Sequence, residues 1–485
     1  MKFLMPQFIP LPSSCVIRMI LVSVLTLTCI SITNKLLHFT LQDDHDHLAK
    51  ALASKYPEVS LPSPKGPTIL DANLRAEVAF RGLRYPTSMA FLGPNDILIT
   101  EKDAGTVRRI VNGTELQQAL VDVNVATYAH RGMLGIAITP IHGAALSNHG
   151  NANDHHHDKT TTAYVFLYYT QAQTHTGDDI TAGKQPLGNR LYRYELNNNR
   201  LLNPKLLLEL PATPGAIGNG GKVVIGSDNN VYVTIGNVGI NGHNTKAQNV
   251  QNSSEPDGTS GILRVNQDGQ PILPGILGNK FPLNLYYSYG IWNSFGLAFD
   301  PVTGILWDTQ VGLPFGDEIN LVGPGFNSGY NKIDGIWLRG YNMDQTEKQH
   351  VVPPLPPNDL VNFGGKGKYH PPQFTWFRKV VPTGITFLNS NKIGNLYEND
   401  MFVADALNGN IYHFKLNAQR TGLLLPKGPL ADRVANSSDP LDQIIFGKGF
   451  GAITDLKVSP YDGNLYVLTF DQTQGTIYRI VPVNK

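Results

Sequence analysis

Ala452–Val481, AITDLKVSPYDGNLYVLTFDQTQGTIYRIV, reads as three short strands separated by two turns. Apolar and polar residues alternate through it, as half-buried antiparallel strands require. The turns carry Gly, Asp and Asn, the residues that tight connections favour. The same plan recurs upstream. Pro86–Val111 reads PTSMAFLGPNDILITEKDAGTVRRIV, and PTGITFL from Pro382 is followed by NDMFVADALNGNIYHFKL, ending at Leu416. Three looser copies lie between. One has MLGIAIT from Met133, then YVFLYYT and NRLYRYEL. Another has GKVVIGSDNNVYVTIG from Gly221, then GILRV. The third has FGLAFDPVTGILWDTQVG from Phe295, then DEINLV.

A lone sheet of three or four such strands cannot bury both faces. Six arranged around an axis can, and this leaves only short edges. The expected fold is therefore all-β: a six-bladed β-propeller with four-stranded antiparallel blades over residues 76–485. An array of β-sandwiches is the competing architecture. AEVAFRGL (Ala76–Leu83) is an extended strand placed to close the ring by pairing with the last repeat. Surplus length between repeats falls in loops, which a propeller gathers on one face.

Composition agrees with many short strands. Gly (48) and Pro (33) are abundant in 485 residues, and charged residues make up 16% against a usual value of about 25%. The formal net charge is +1, with no basic run, so a nucleic-acid partner is not expected. The two cysteines, Cys15 and Cys29, lie in the N-terminal segment, which excludes a disulfide framework for the repeats. Lys2 and Arg18 precede MILVSVLTLTCISI (Met19–Ile32), a run without charge. Its length suits a signal-peptide core and is short of the ~20 residues of a full span. Residues 1–33 are read as a signal peptide or membrane anchor and 34–75 as a Pro-rich stalk. The expected location is extracytoplasmic, secreted or anchored to the outer face of the cell membrane, with membrane contact only through this segment. Sequons at Asn112, Asn252 and Asn436 fit export.

Several segments resemble soluble quinoprotein glucose dehydrogenases and their aldose and sorbosone dehydrogenase relatives. They are HRGMLGIAITP (His130–Pro140), GNGGKVVIGSDNNVYVTIGNVG (Gly218–Gly239), YSYGIWNSFGLAFDP (Tyr287–Pro301), VGLPFGDEINLVGPGFNSGY (Val311–Tyr330) and ITDLKVSPYDGNLYVLT near the end. Their order also matches. The resemblance implies a six-bladed propeller holding pyrroloquinoline quinone (PQQ) and Ca²⁺ on its loop face. Active members take a hydride from C1 of an aldose and pass electrons to an acceptor. A histidine acts as base, and arginines with a lysine clamp the carboxylates of PQQ.

Carried over residue by residue, the resemblance leaves the chemistry incomplete. The base position of the H-x-G-G/S-R/K motif is Gly218, and the acid position is Asn237. The family's Arg-Asn pair is Trp292-Asn293, and its R-x-R clamp reads Ala452-Ile453-Thr454. A glutamine is replaced by His130. Lys222, Asn293 and Lys392 remain as candidate cofactor contacts. Gly312 and Leu313 stand where backbone carbonyls hold Ca²⁺. Asp317 and Glu318 beside them are either ligands or structural. Charge-assisted hydrogen bonds contribute about 1.5–3 kcal/mol each. Three missing arginines would then remove roughly 4.5–9 kcal/mol of cofactor binding, about 10³–10⁶ in affinity. A missing base removes about 10²–10⁴ in rate.

His130 and His243 are the candidate substitute bases; the alternative for each is a solvated loop histidine. Trp292 puts a bulky ring where a cation would contact the cofactor, and could plug its site. Tyr286, Tyr287, Tyr289, Phe295 and Trp337 either line a sugar surface with it or pack inside the sheets. His155, His156 and His157 lie in a His-rich stretch that is either a weak metal site or a flexible insertion. Two function classes stay open. One is a PQQ-dependent sugar dehydrogenase with altered residues. The other is a catalytically degenerate propeller that binds a glycan, a metal or a protein partner.

Overall fold

The computed structural model describes residues 63, 65–140, 161–173, 185–239, 243–313, 315–338, 358–471 and 474–483. Residues 1–62 and the His155–His157 stretch lie outside these. Strands dominate the described residues, with only short 3-10 turns between them. No helix among them is long and apolar enough to cross a membrane.

The repeats read from the sequence form a propeller of sheets that are mainly antiparallel. Sheet I opens with Pro86–Gly93, sheet II with Met133–Pro140 and sheet III with Val223–Ile225. Sheets IV, V and VI open with Ser294–Phe299, Pro382–Phe387 and Ala452–Val458. Sheet VI takes its fourth strand from the start of the domain: Leu74–Leu83 pairs antiparallel with Gly475–Pro482. This is the closure expected of Ala76–Leu83. The chain joins the sheets earlier than residue 76, because Thr68–Ile69 pairs with Gly447 and Lys448 of sheet V.

Two sheets stop at four strands; the others carry extra short ones. Phe326–Asn327 and Lys368–Tyr369 extend sheet III in parallel, and Val434–Ala435 does the same for sheet IV. These strands have two residues each, too short for an alternating pattern to show in the sequence.

The opening strands face the axis, and a side-chain hydrogen bond crosses each seam. Thr87 donates to Met133 O (2.7 Å), Tyr168 to Asn219 O (2.9 Å) and Thr234 to Ser294 O (3.0 Å). Thr309 donates to Pro382 O (3.3 Å), Thr383 to Ile453 O (2.6 Å) and Ser88 to Asp455 Oδ2 (3.0 Å). The circuit is closed. Apolar clusters fill the wedges between sheets, such as Trp307, Trp376, Ile385 and Tyr412 between IV and V.

Most of the opening strands carry a bulge near the start, after which the next sheet comes close. Small residues stand there for steric reasons. A Cβ on Gly135 would lie 1.8 Å from Gly221 O, and one on Gly384 would lie 2.8 Å from Leu456 Cβ. The same position holds Ser88 in sheet I, Lys222 just ahead of sheet III, Gly296 in sheet IV and Asp455 in sheet VI. Ser88 and Lys222 show the equivalence, since each donates its amide to a threonine hydroxyl at 3.0 Å, Thr100 and Thr234.

Lys222 therefore reaches across the axis and pairs with Asp455, both buried. Asp455 also accepts from Ser88 Oγ and Met89 N at 3.0 Å and from Leu456 N at 2.8 Å. Burial opposes its charge, but Lys222, Lys457 and these hydrogen bonds prevail and hold the carboxyl below its usual range. Removing one partner of a buried pair strands the other charge, at roughly 3–5 kcal/mol. Lys222→Met should lower unfolding stability in urea by about that much, and Lys222→Met/Asp455→Leu should recover much of the loss. A double variant no more stable than the single one would contradict the role given to the pair.

Candidate functional site

Loops at the leading ends of the inner strands bring together His130, Gly218, Trp292 and Phe295. His130 sits three residues ahead of Met133, and its backbone N–H donates to Ala216 O (3.1 Å). Arg131, fully buried, anchors the facing loop by donating to Ala212 O (2.6 Å) and Gly215 O (3.2 Å). The His130 ring consequently stands beside Gly218, whose N–H points at Nδ1 over 3.4 Å, with the Phe295 ring edge-on at 6.0 Å. Gly218 itself has φ +75°, a conformation that disfavours a side chain. An imidazole thus stands beside Gly218, reaching it from the neighbouring loop.

His130 is open to solvent although protein surrounds it on most sides. That desolvation, with the positive charges of Lys102 and Lys379, lowers its pKa to about 4. The ring is neutral at physiological pH. Lys102 and Lys379 stand in no motif, so the sequence alone does not single them out. Lys102 donates to Asp103 (2.6 Å) and Thr127 O (3.1 Å).

His243 is a different case. Its Nδ1 contacts the Asp257 carboxylate, and its Nε2 lies 2.5 Å from Thr213 O. The bond to Asp257 raises its pKa. With both ring nitrogens engaged it has none to offer a substrate, so it is not a substitute base in this arrangement.

The remaining candidates are mostly engaged in structure. Lys222 is paired with Asp455 across the axis. Asn293 Oδ1 accepts from Gly220 N (2.9 Å) and fixes the Gly218–Gly221 turn. Asn237 donates to Tyr330 Oη (2.9 Å) and Gly239 O (3.2 Å). Lys392 is exposed in the hairpin after Pro382–Phe387, beside Gly463, past the trailing ends of the inner strands. It is not with the others. Asp317 is a loop clamp: it accepts from Gly312 N (2.8 Å) and from Val380 N and Val381 N (2.7 Å each). Glu318 accepts from Gly335 N (2.8 Å), Ser328 Oγ (2.9 Å) and Asn320 Nδ2 (2.8 Å). Tyr286 and Tyr289 are buried in the sheets, Tyr287 packs against Tyr232, and Trp337 packs against Phe315 and Phe377. These four aromatics serve packing.

Trp292 is 4% exposed. It packs with Leu313, Tyr330 and Ile217, its ring centre 5.3 Å from that of Tyr330. A polyanionic quinone needs cations, and Trp292, which the resemblance sets against the family's arginine, is an apolar group packed among others. The residues present do not fit PQQ held in the family's manner. Among the described residues no three His, Cys, Asp or Glu side chains are grouped to hold a metal.

The model of the glucose/sorbosone dehydrogenase family matches residues 83–479. The chain belongs to that family. Aldose sugar dehydrogenase YliI of Escherichia coli is 22% identical over 85% of this chain and 94% of its own length. Quinoprotein glucose dehydrogenase B of Acinetobacter calcoaceticus is 25% identical over 54% of this chain and 53% of its own. Among solved structures, the apo soluble aldose sugar dehydrogenase of E. coli superposes with a TM-score of 0.60 at 20% identity, covering 84% of this chain and all of that one (100%). The PQQ-bound aldose sugar dehydrogenase of Streptomyces coelicolor gives 0.55 at 20% identity, covering 87% and 99%. At these identities the structures speak for the fold.

One buried polar layer in sheet IV has a pH consequence. Asp308 faces Asn320 across the strands; neither of its oxygens meets full hydrogen-bonding geometry, and the nearby Asn320 and Ser294 side chains offset its burial only in part. Burial raises its pKa to about 7, against about 3.9 when unfolded. Unfolding lets it ionise, so its contribution is complete below about pH 4 and is lost as pH rises to about 7. Asp308→Asn should flatten the fall in melting temperature over that range. An unchanged pH profile would refute the assignment.

Proposed function

We propose that this protein is a six-bladed, extracytoplasmic member of the glucose/sorbosone dehydrogenase family that binds a sugar or glycan at its loop face without holding PQQ. The observation that carries this reading is the burial of Trp292 against Leu313, Tyr330 and Ile217 where the family resemblance calls for a cofactor arginine. The six seams around the axis support the blade number. The apolar N-terminal run and the exposed sequon at Asn112 support export.

The exposed His130 ring, edge-on to Phe295, offers a sugar a polar nitrogen beside an aromatic surface. Neutral imidazole accepts or donates one hydrogen bond to a hydroxyl, and an aromatic ring covers a C–H face. Lys102 and Lys379 add positive potential at the same place.

A second reading rests on His130 alone. Its neutral imidazole beside Gly218 has the protonation state a general base requires. On that reading the protein is a sugar dehydrogenase with a relocated base, using an electron acceptor and holding Ca²⁺ at Gly312 and Leu313.

The two readings separate in a paired assay on the full chain. Aldoses and short glycans are titrated by calorimetry, and dye reduction is followed with PQQ, Ca²⁺ and the same sugars. The binding reading predicts at least one ligand, weakened about tenfold or more by His130→Ala (~1.4 kcal/mol), with no sugar-dependent dye reduction. Dye reduction abolished by His130→Ala would establish the second reading. No sugar bound and no reduction would overturn both.

A further inference from the structure

Each inner strand also carries a position two residues beyond the one shared by Ser88, Gly135, Lys222, Gly296, Gly384 and Asp455. These positions are Ala90, Ala137, Val224, Ala298, Thr386 and Lys457. Lys457 is the one charged residue among them. It follows Asp455 by two residues on Ala452–Val458, on the side of the Lys222–Asp455 pair away from His130.

Asp455 attracts Lys457 electrostatically but makes no ion pair with it. That carboxylate is already taken up by Lys222, Ser88 Oγ and the amides of Met89 and Leu456. Lys457 is half-buried and makes no ion pair among the described residues. Two ammonium groups therefore share one carboxylate on the axis. Surrounding protein and the nearby Lys222 lower the Lys457 pKa to about 8, against the pull of Asp455. A charge in such a place draws a counter-ion.

We propose that a small monovalent inorganic anion of chloride's size binds against Lys457 near the axis. The surrounding positions favour that class. Four of them are Ala or Val, and Thr386 alone carries a hydroxyl. An anion with several strong acceptors, such as phosphate, would be left with most of them unsatisfied. A compact, weakly hydrated anion needs little beyond the ammonium. The site is independent of whatever occupies the loop face.

The test uses the full chain near neutral pH, with chloride replaced stepwise by gluconate at constant ionic strength. Chloride should raise the melting temperature by a few degrees and saturate, as specific binding to the folded state requires. Lys457→Met should keep the strand-rich circular dichroism and lose the chloride dependence. The chlorine resonance linewidth of wild-type solutions is a second measurement that needs no variant: it should broaden with protein and narrow again when thiocyanate competes. A melting temperature indifferent to chloride, the same chloride response in Lys457→Met, or an unbroadened resonance would each overturn the proposal.

Discussion

Lys222 and Asp455 meet across the centre of the ring, and the arrangement around them follows from that contact. Inner strands packed this tightly tolerate only small residues where they come closest, hence Ser88, Gly135, Gly296 and Gly384. One long side chain fits because it crosses the axis, and it needs a partner there. The buried pair brings little net stability by itself, but each half is costly alone. It therefore ties sheet III to sheet VI and, through Ser88 and Met89, to sheet I. Leu74–Leu83 completes the ring by hydrogen bonding along Gly475–Pro482.

A ring fixed at its centre presents its loops as a rigid platform. The turn Gly218–Gly221 leads directly into Lys222, so the cross-axis pair also sets the height of that turn. Asn293 holds it from sheet IV, and Arg131 holds the preceding loop from sheet II. The family's scaffold for chemistry is thus present. What stands on it differs: a glycine beside a neutral imidazole, and a tryptophan in an apolar nest. Asp317 and Glu318 spend their hydrogen-bonding capacity on loop amides and neighbouring side chains. Fold and family are shared with sugar dehydrogenases, while function depends on these few positions.

Much of the fold is legible in the sequence because strand alternation and turn residues recur six times, and the closing strand shows its extended pattern. The two-residue parallel strands are not, having no period to show. Site residues are legible only where a motif fixes them. Gly218, Asn237 and Trp292 lie together, Asn237 N donating to Trp292 O and Val238 N to Gly218 O. Lys222 also lies in a motif, but its side chain answers to Asp455, more than two hundred residues away (233 apart), and no local pattern reports that. Lys392 stands in a loop that aligns loosely with the family, and it lies past the far ends of the strands. His130 and His243 look alike in sequence. They differ in that Asp257 and Thr213 take up both nitrogens of one, while the other is left exposed.

Whether the apolar nest around Trp292 excludes the quinone decides what this propeller can do. Calorimetric titration of PQQ with excess Ca²⁺ into the full chain measures this directly. Without the family's three arginines, affinity for the quinone should be weaker by about 10³–10⁶, and no heat of binding is expected up to near-millimolar quinone. Submicromolar binding would contradict that exclusion. It would mean that Trp292 moves aside and that other cations, Lys102 and Lys379 foremost, hold the cofactor's carboxylates.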